Sequence, residues 1–113
     1  MIAWLMGIRT LSTAALQQRM RESAVTVFDV NAPHSWLKAR VPGALNLDAV
    51  EFRDSDLPQD RNAELVFYCS NPMCRKAPNA ARRARQMGHA NVQVMSAGIS
   101  GWLAAGLPVE SGS

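Results

Sequence analysis

Along the chain, apolar residues gather into short unbroken runs, separated by stretches in which they recur every third or fourth position. This is the pattern of buried strands alternating with amphipathic helices. The run Ala24-Val25-Thr26-Val27-Phe28-Asp29-Val30 is almost wholly β-branched or aromatic, which predicts a strand covered on both faces, and Asn31-Ala32-Pro33 breaks it. Leu65-Val66-Phe67-Tyr68 predicts a second such strand ending at Cys69, and Asn91 to Met95 a third. Gly7-Ile8-Arg9-Thr10 is strand-like, and Ala44-Leu45-Asn46-Leu47 reads as a short strand after the turn Val41-Pro42-Gly43.

Between these runs the period lengthens. Ser12 to Glu22 predicts a helix with Leu11, Ala14, Ala15 and Leu16 on one side and Ser12 or Thr13 as its N-cap. Ser35 to Ala39 reads as a short helical turn, and the acidic stretch 48–64, broken by Pro58, as helix and turn on the surface. From about Arg75 or Ala77 a helix runs to Met87 with Ala77, Ala80, Ala81, Ala84 and Met87 as its core face. Pro78 falls in its first turn, where a missing N–H costs little, and Gly88 stops it. Ile99 to Ala105 predicts a short amphipathic helix bearing Trp102. Strands alternating with helices predict an α/β fold: a mostly parallel central sheet of four to five strands flanked by helices on both faces. The 113 residues suit one domain, 1–113, with its core at about 8–109 and a short Ser/Gly tail at 111–113.

Composition narrows the class further. Hydrophobic residues make up 48% and charged residues 19%, ordinary for a globular chain, which sets aside disorder and coiled coil. No apolar run approaches the ~18–20 residues that span a bilayer. The apolar start, Met1 to Gly7, has neither a basic residue before it nor a cleavage site after it, so it does not read as a signal peptide. A cytoplasmic protein with no membrane partner is expected. Two cysteines are too few for a secreted disulfide framework and fit a reducing compartment. The net charge of +3 is unevenly spread. Residues 48–64 carry six acids against Arg53 and Arg61, whereas 75–85 carry Arg75, Lys76, Arg82, Arg83 and Arg85 with no acid. Without interleaved aromatics this run predicts a solvated helix face, an anion site or a docking patch for an acidic partner, and no nucleic acid.

The candidate chemistry lies at Cys69. Ligands of open parallel sheets bind beyond the carboxyl ends of strands, and Cys69 is the first residue past such an end. A loop over Ser70, Asn71, Met73, Cys74, Arg75 and Lys76 that curls around its sulfur would bring backbone N–H groups and the positive helix end together as an anion cradle. The cations Arg75 and Lys76 favour thiolate over thiol. Such a thiolate suits attack on an anionic electrophile: a sulfane-sulfur donor, a phosphate ester or arsenate. Cys74 lies at the far edge of the loop, either as packing or as a cysteine that resolves oxidised or persulfidated Cys69. His34 and His89 are distant from the cysteines in sequence and are expected on the surface, and no metal or cofactor is expected.

These segments resemble the rhodanese-like (sulfurtransferase) domain family from about Thr10 to Val109. The likeness rests on Val27-Phe28-Asp29-Val30 followed by Trp36 and Val41-Pro42-Gly43-Ala44, on Tyr68-Cys69 with its loop and alanine-rich helix, and on the closing Ser96-Ala97-Gly98 to Trp102 and Gly106-Leu107-Pro108-Val109. The resemblance implies a sulfurtransferase: Cys69 takes sulfane sulfur from a small anionic donor such as thiosulfate, or from a persulfide, and hands it to cyanide or to a thiol or protein acceptor. The chain departs from the family pattern at Asn31, where Arg is usual, at Ser35, at Ala39-Arg40 and at Ala97. Its loop is also longer than the common form and contains no glycine. Five residues separate Cys69 from Arg75, the spacing of rhodanese-fold phosphatases and arsenate reductases. The fold also serves as a redox-sensing or non-catalytic interaction module, so three function classes remain in view.

Overall fold

The computed structural model describes residues 7–113; the apolar start, apart from Gly7, lies outside the described residues. Five strands, β1 (Arg9–Leu11), β2 (Val25–Asp29), β3 (Leu45–Asn46), β4 (Glu64–Tyr68) and β5 (Val92–Met95), form one sheet in the order β1-β5-β4-β2-β3. Every pairing is parallel, so all carboxyl ends lie along one edge, with β4 in the middle. The helices are α1 (Thr13–Glu22), α2 (Pro33–Lys38), α3 (Lys76–Gln86) and α4 (Gly98–Ala104), with a 3-10 turn at Asp54–Asp56.

Side chains of a strand alternate between faces, and β4 shows why its run has no polar gap. Leu65, Phe67 and Cys69 pack with Phe28, Val92, Val94 and the alanine face of α3. Val66 and Tyr68 pack on the opposite face with Leu16 of α1, Met95 and Trp102 of α4. The sheet thus carries helices on both sides. Ala77, Ala80, Ala81 and Ala84 are all buried, so α3 lies close against the strands. Gly88 takes φ +106° directly after the Met87 C-cap, a left-handed conformation that favours glycine.

Several expectations are corrected. Leu11 belongs to β1, and Ser12 caps α1 by accepting from the Ala15 N–H at 3.0 Å; of the predicted α1 face only Leu16 is fully buried. Pro33 opens α2 rather than preceding it, because its fixed φ suits the first helical turn. The acidic stretch is not merely superficial: Phe52 and Leu57 enter the α3-side core, each stabilising it by about 1.5–3 kcal/mol. His34 is exposed as expected, but His89 is buried at 1% exposure, its Nε2 lying 2.7 Å from Arg61 Nη1. Arg61 in turn pairs with Asp54. The tail is tied down: Arg40 and Glu110 exchange backbone hydrogen bonds at 3.0 Å, Arg40 Nη1 donates to the Gly112 carbonyl at 2.7 Å, and Gly112 N–H donates to Leu37. No helix among the described residues is long and apolar enough to cross a membrane.

Candidate active site

Strand β4 delivers Cys69 to the carboxyl edge of the sheet, where it is 3% exposed. Two sets of hydrogen bonds fix the loop that follows. The carbonyls of Cys69 and Ser70 accept from the N–H groups of Ile99 and Ser100, both at 2.9 Å, so the start of α4 clamps the root of the loop. Gly98 permits this approach. Its φ is +69°, and a Cβ there would lie 2.6–2.7 Å from backbone atoms of Cys69, Ser70 and Asn71.

The second set builds a turn. Asn71 accepts from Cys74 N–H through its carbonyl at 3.1 Å and from Met73 N–H through its side chain at 2.9 Å. Asn at the first position of a β-turn and Pro72 at the second are the residues such a turn prefers, so Asn71-Pro72-Met73-Cys74 folds back as its sequence dictates. The reversal brings Cys74 to Cys69. Their Cα atoms are 6.4 Å apart and the two are joined as a disulfide, within the span such a bond allows.

The anion cradle is only partly present in this closed loop. Pro72 has no N–H, and those of Met73 and Cys74 are spent on Asn71. Cys69, Asn71, Met73, Cys74 and Arg75 line a cavity of about 380 Å³ together with Thr10, Val94, Met95 and Ser96. Among the described residues, Arg75 is the one charged residue in the cavity lining; it is exposed and takes no part in the Arg19–Glu64, Arg40–Glu110 and Arg61–Asp54 pairs. Ser70 and Lys76 are not among the lining residues. Ser70 Oγ donates to Asn31 Oδ1 at 2.7 Å, and Lys76 borders a separate hollow with Asn31, Asn46 and Asp48. Met73 stands at the rim, 85% exposed.

The basic run on α3 divides in the same way. Arg83 donates to the carbonyls of Val50 and Phe52, and Arg85 to that of Gly7, so both hold neighbouring segments. Arg82 remains exposed. Among the described residues no three His, Cys, Asp or Glu side chains are grouped to hold a metal ion.

Sequence reasoning missed the supports behind the loop. Tyr68 donates to Asp29 Oδ2 at 2.7 Å and accepts from Val41 N–H, while Asp29 Oδ1 accepts from Asn31 N–H at 2.8 Å. Burial pushes the Asp29 carboxyl above its ordinary range, and the Tyr68 and Asn31 hydrogen bonds pull the other way. Burial first, and the neighbouring Asp29 second, raise the Tyr68 phenol. The polar residues Asp29 and Tyr68 within otherwise apolar runs were the signal. Ser96 is the first residue past the end of β5, where the same carboxyl-end rule points, whereas Thr10 lies inside β1 and reaches the cavity because β1 pairs with β5.

A parallel sheet with a cysteine at the tip of its central strand, a clamped loop and a helix start beyond it defines an α/β protein built around a strand-end thiol. The chain belongs to the rhodanese-like domain family, which matches residues 12–105. It is 34% identical over 105 residues to the HTH-type transcriptional regulator Rv0324 of Mycobacterium tuberculosis, covering 91% of this chain and 45% of that protein. The chain spans about half the length of the curated relatives it matches. The BH2092 protein of Bacillus halodurans shares the fold at TM-score 0.83 and 22% identity, over 91% of this chain and 77% of that one. Structural neighbours include RPA3614 of Rhodopseudomonas palustris, described as a possible tyrosine phosphatase, at TM-score 0.78, 24% identity and coverage of 96% and 91%. SseA of Escherichia coli, described among 3-mercaptopyruvate sulfotransferases, matches at TM-score 0.72, 18% identity and coverage of 94% and 52%.

Proposed function

We propose that this chain is a sulfurtransferase that works through a Cys69 persulfide. The observation that carries the reading is the position of Cys69 on the wall of a cavity whose one charged lining residue, among the described residues, is cationic Arg75. In the reduced form, Cys69 thiolate attacks the outer sulfur of thiosulfate or of a persulfide. A bond forms between Cys69 Sγ and that sulfur, and sulfite or a thiolate leaves with the electron pair. Arg75 offsets the negative charge of donor and leaving group. The outer sulfur then passes to cyanide or to a thiol acceptor. Arg75 and the exposed rim around Met73 leave room for a small anion or for a protein cysteine.

The Cys69-to-Arg75 spacing favours a second reading, phosphatase or arsenate reductase. That chemistry depends on loop N–H groups converging on three equatorial oxygens. Pro72 lacks the group and Met73 and Cys74 have spent theirs, so sulfur transfer, which demands fewer donors, is the better fit. Reduced protein mixed with thiosulfate should release sulfite, and Cys69→Ser should release none. A phosphate ester and arsenate, assayed in parallel, should remain unturned. Turnover of either, without sulfite from thiosulfate, would replace this reading with the second.

A further inference from the structure

The loop brings a second thiol to the first, and in a sulfurtransferase the point that thiol reaches decides what becomes of the sulfur. An incoming thiolate can attack the outer sulfur of a persulfide and carry it away, or attack the inner sulfur and expel hydrosulfide. Cys74 is bonded to Cys69 Sγ itself, which is the inner sulfur of the Cys69 persulfide. We infer that Cys74 resolves this persulfide: the sulfur leaves as hydrosulfide, and each cycle ends in the Cys69–Cys74 disulfide, which a dithiol reductant reopens. This rests on the sulfurtransferase reading and goes beyond it, because the product is free sulfide and an oxidised loop rather than sulfur passed to an acceptor.

Three features support it. The Asn71–Cys74 turn is held by two hydrogen bonds that do not involve sulfur, and its Asn-Pro start favours the same reversal in the reduced chain. The clamp from Ile99 and Ser100 fixes Cys69 independently. Cys74 therefore stays near Cys69 whether or not the two are bonded. In addition, both cysteines and Arg75 line one cavity that has no acidic lining residue among the described residues, so departing hydrosulfide meets a cation there. Hydrosulfide is also a weaker base than an alkyl thiolate and leaves faster for that reason.

The steps balance. Cys69 thiolate takes the outer sulfur of thiosulfate, and sulfite departs. Cys74 thiol passes its proton to the outer sulfur of the persulfide, its sulfur attacks Cys69 Sγ, the bond from Sγ to the outer sulfur breaks, and hydrosulfide carries off the electron pair. The two cysteines are oxidised to a disulfide as the sulfane sulfur is reduced to sulfide. A dithiol then exchanges with the disulfide, is itself oxidised, and restores both thiols. The sum is thiosulfate plus two thiol groups giving sulfite, hydrogen sulfide and one disulfide.

A single turnover tests it. Protein is reduced with a dithiol, desalted under nitrogen and mixed with excess thiosulfate; sulfite, sulfide and intact mass are then measured. Wild type should release sulfite and sulfide in equal amounts and lose the mass of two hydrogens. Cys74→Ser and Cys74→Ala should release sulfite, release no sulfide and gain one sulfur atom that cyanide removes. Reduced wild type kept under nitrogen without thiosulfate should keep both thiols, which separates the reaction from air oxidation. Wild type that gains a stable sulfur and releases no sulfide would overturn the resolving role and leave the Cys69 persulfide standing. No sulfite from any variant, with thermal unfolding unchanged, would overturn the sulfurtransferase reading itself and the resolving role with it.

Discussion

Asp29 and Glu64 are buried carboxylates on paired strands, one at the carboxyl end of β2 and the other at the amino end of β4. Their surroundings differ in kind. Glu64 accepts from Arg19 Nη2 at 2.6 Å, Arg19 Nε at 3.1 Å and Gln93 Nε2 at 2.8 Å, and the guanidinium holds its carboxyl below the ordinary range. Asp29 has neutral donors, Tyr68 and Asn31, as its hydrogen-bond partners, and burial raises it instead. At the amino edge of the sheet, an ion pair between Arg19 and Glu64 ties α1 to β4, and the Gln93 amide of β5 donates to the same carboxylate. At the carboxyl edge, the buried Asp29 carboxyl is held by neutral donors, and the cation Arg75 is left out of the structural pairs. The contrast separates an edge held by an ion pair from the edge that carries the proposed site.

Breaking the carboxyl edge at its tightest point should have the largest effect. Gly98→Ala puts a methyl group against three backbone atoms of the loop at a positive φ. It should cost about 1–3 kcal/mol in unfolding free energy and remove most sulfite release. Full activity in this variant would show that the α4 clamp does not position Cys69. Tyr68→Phe comes next, since it leaves Asp29 Oδ2 and Val41 N–H without their partner. A loss of about 1–3 kcal/mol by urea unfolding is expected. Glu64→Gln, at the other edge, should cost about 1 kcal/mol and leave sulfite release unaltered, because Arg19 is half exposed and can turn to water.

The two carboxylates should also answer pH with opposite signs. Glu64 is lowered from 4.5, so the unfolded chain binds more protons in that window; its stabilisation is present above 4.5 and fades as pH falls through the folded value. Asp29 is raised from 3.8, so the folded chain binds more protons, and its contribution declines as pH climbs from 3.8 towards the folded value. Urea midpoints across acid pH should show Glu64→Gln flattening the acid loss of stability. Asp29→Asn should improve relative to wild type as pH rises. Parallel curves for wild type and both variants would erase the distinction. The smallest effect on stability belongs to Arg75→Ala, which should raise KM for thiosulfate while shifting unfolding by less than about 0.5 kcal/mol.

Strands β2 and β4 and helix α3 were readable because their signals are continuous: an unbroken β-branched run, or alanines at helical spacing. Phe52 and Leu57 were obscured by the acids around them, although an isolated apolar residue in a charged stretch is itself a sign of an anchor. His89 was misjudged because its cover, Arg61 with Asp54, comes from a distant part of the chain. At the site, the places of Cys69 and Arg75 followed from where a strand ends and a helix starts. The directions of Ser70 and Lys76 did not, since they depend on the Asn71–Cys74 turn and on the hydrogen bond to Asn31. Thr10 required the pairing of β1 with β5, which one sequence does not supply.

The return of the C-terminal segment onto Arg40 gives this protein an internal optical reporter. The Arg40 guanidinium lies 3.9 Å from the centre of the Trp36 ring, and the exposed Glu110 and Gly112 hold the buried Arg40 in place through hydrogen bonds and an ion pair. Bonds supplied by so exposed a segment open at lower free energy than the sheet does. Under mild denaturant the Glu110 and Gly112 amides should take up deuterium before those of β4, and Trp36 emission should change while the buried Trp102 stays silent. Trp36→Phe should delete that early signal and leave the later, global one.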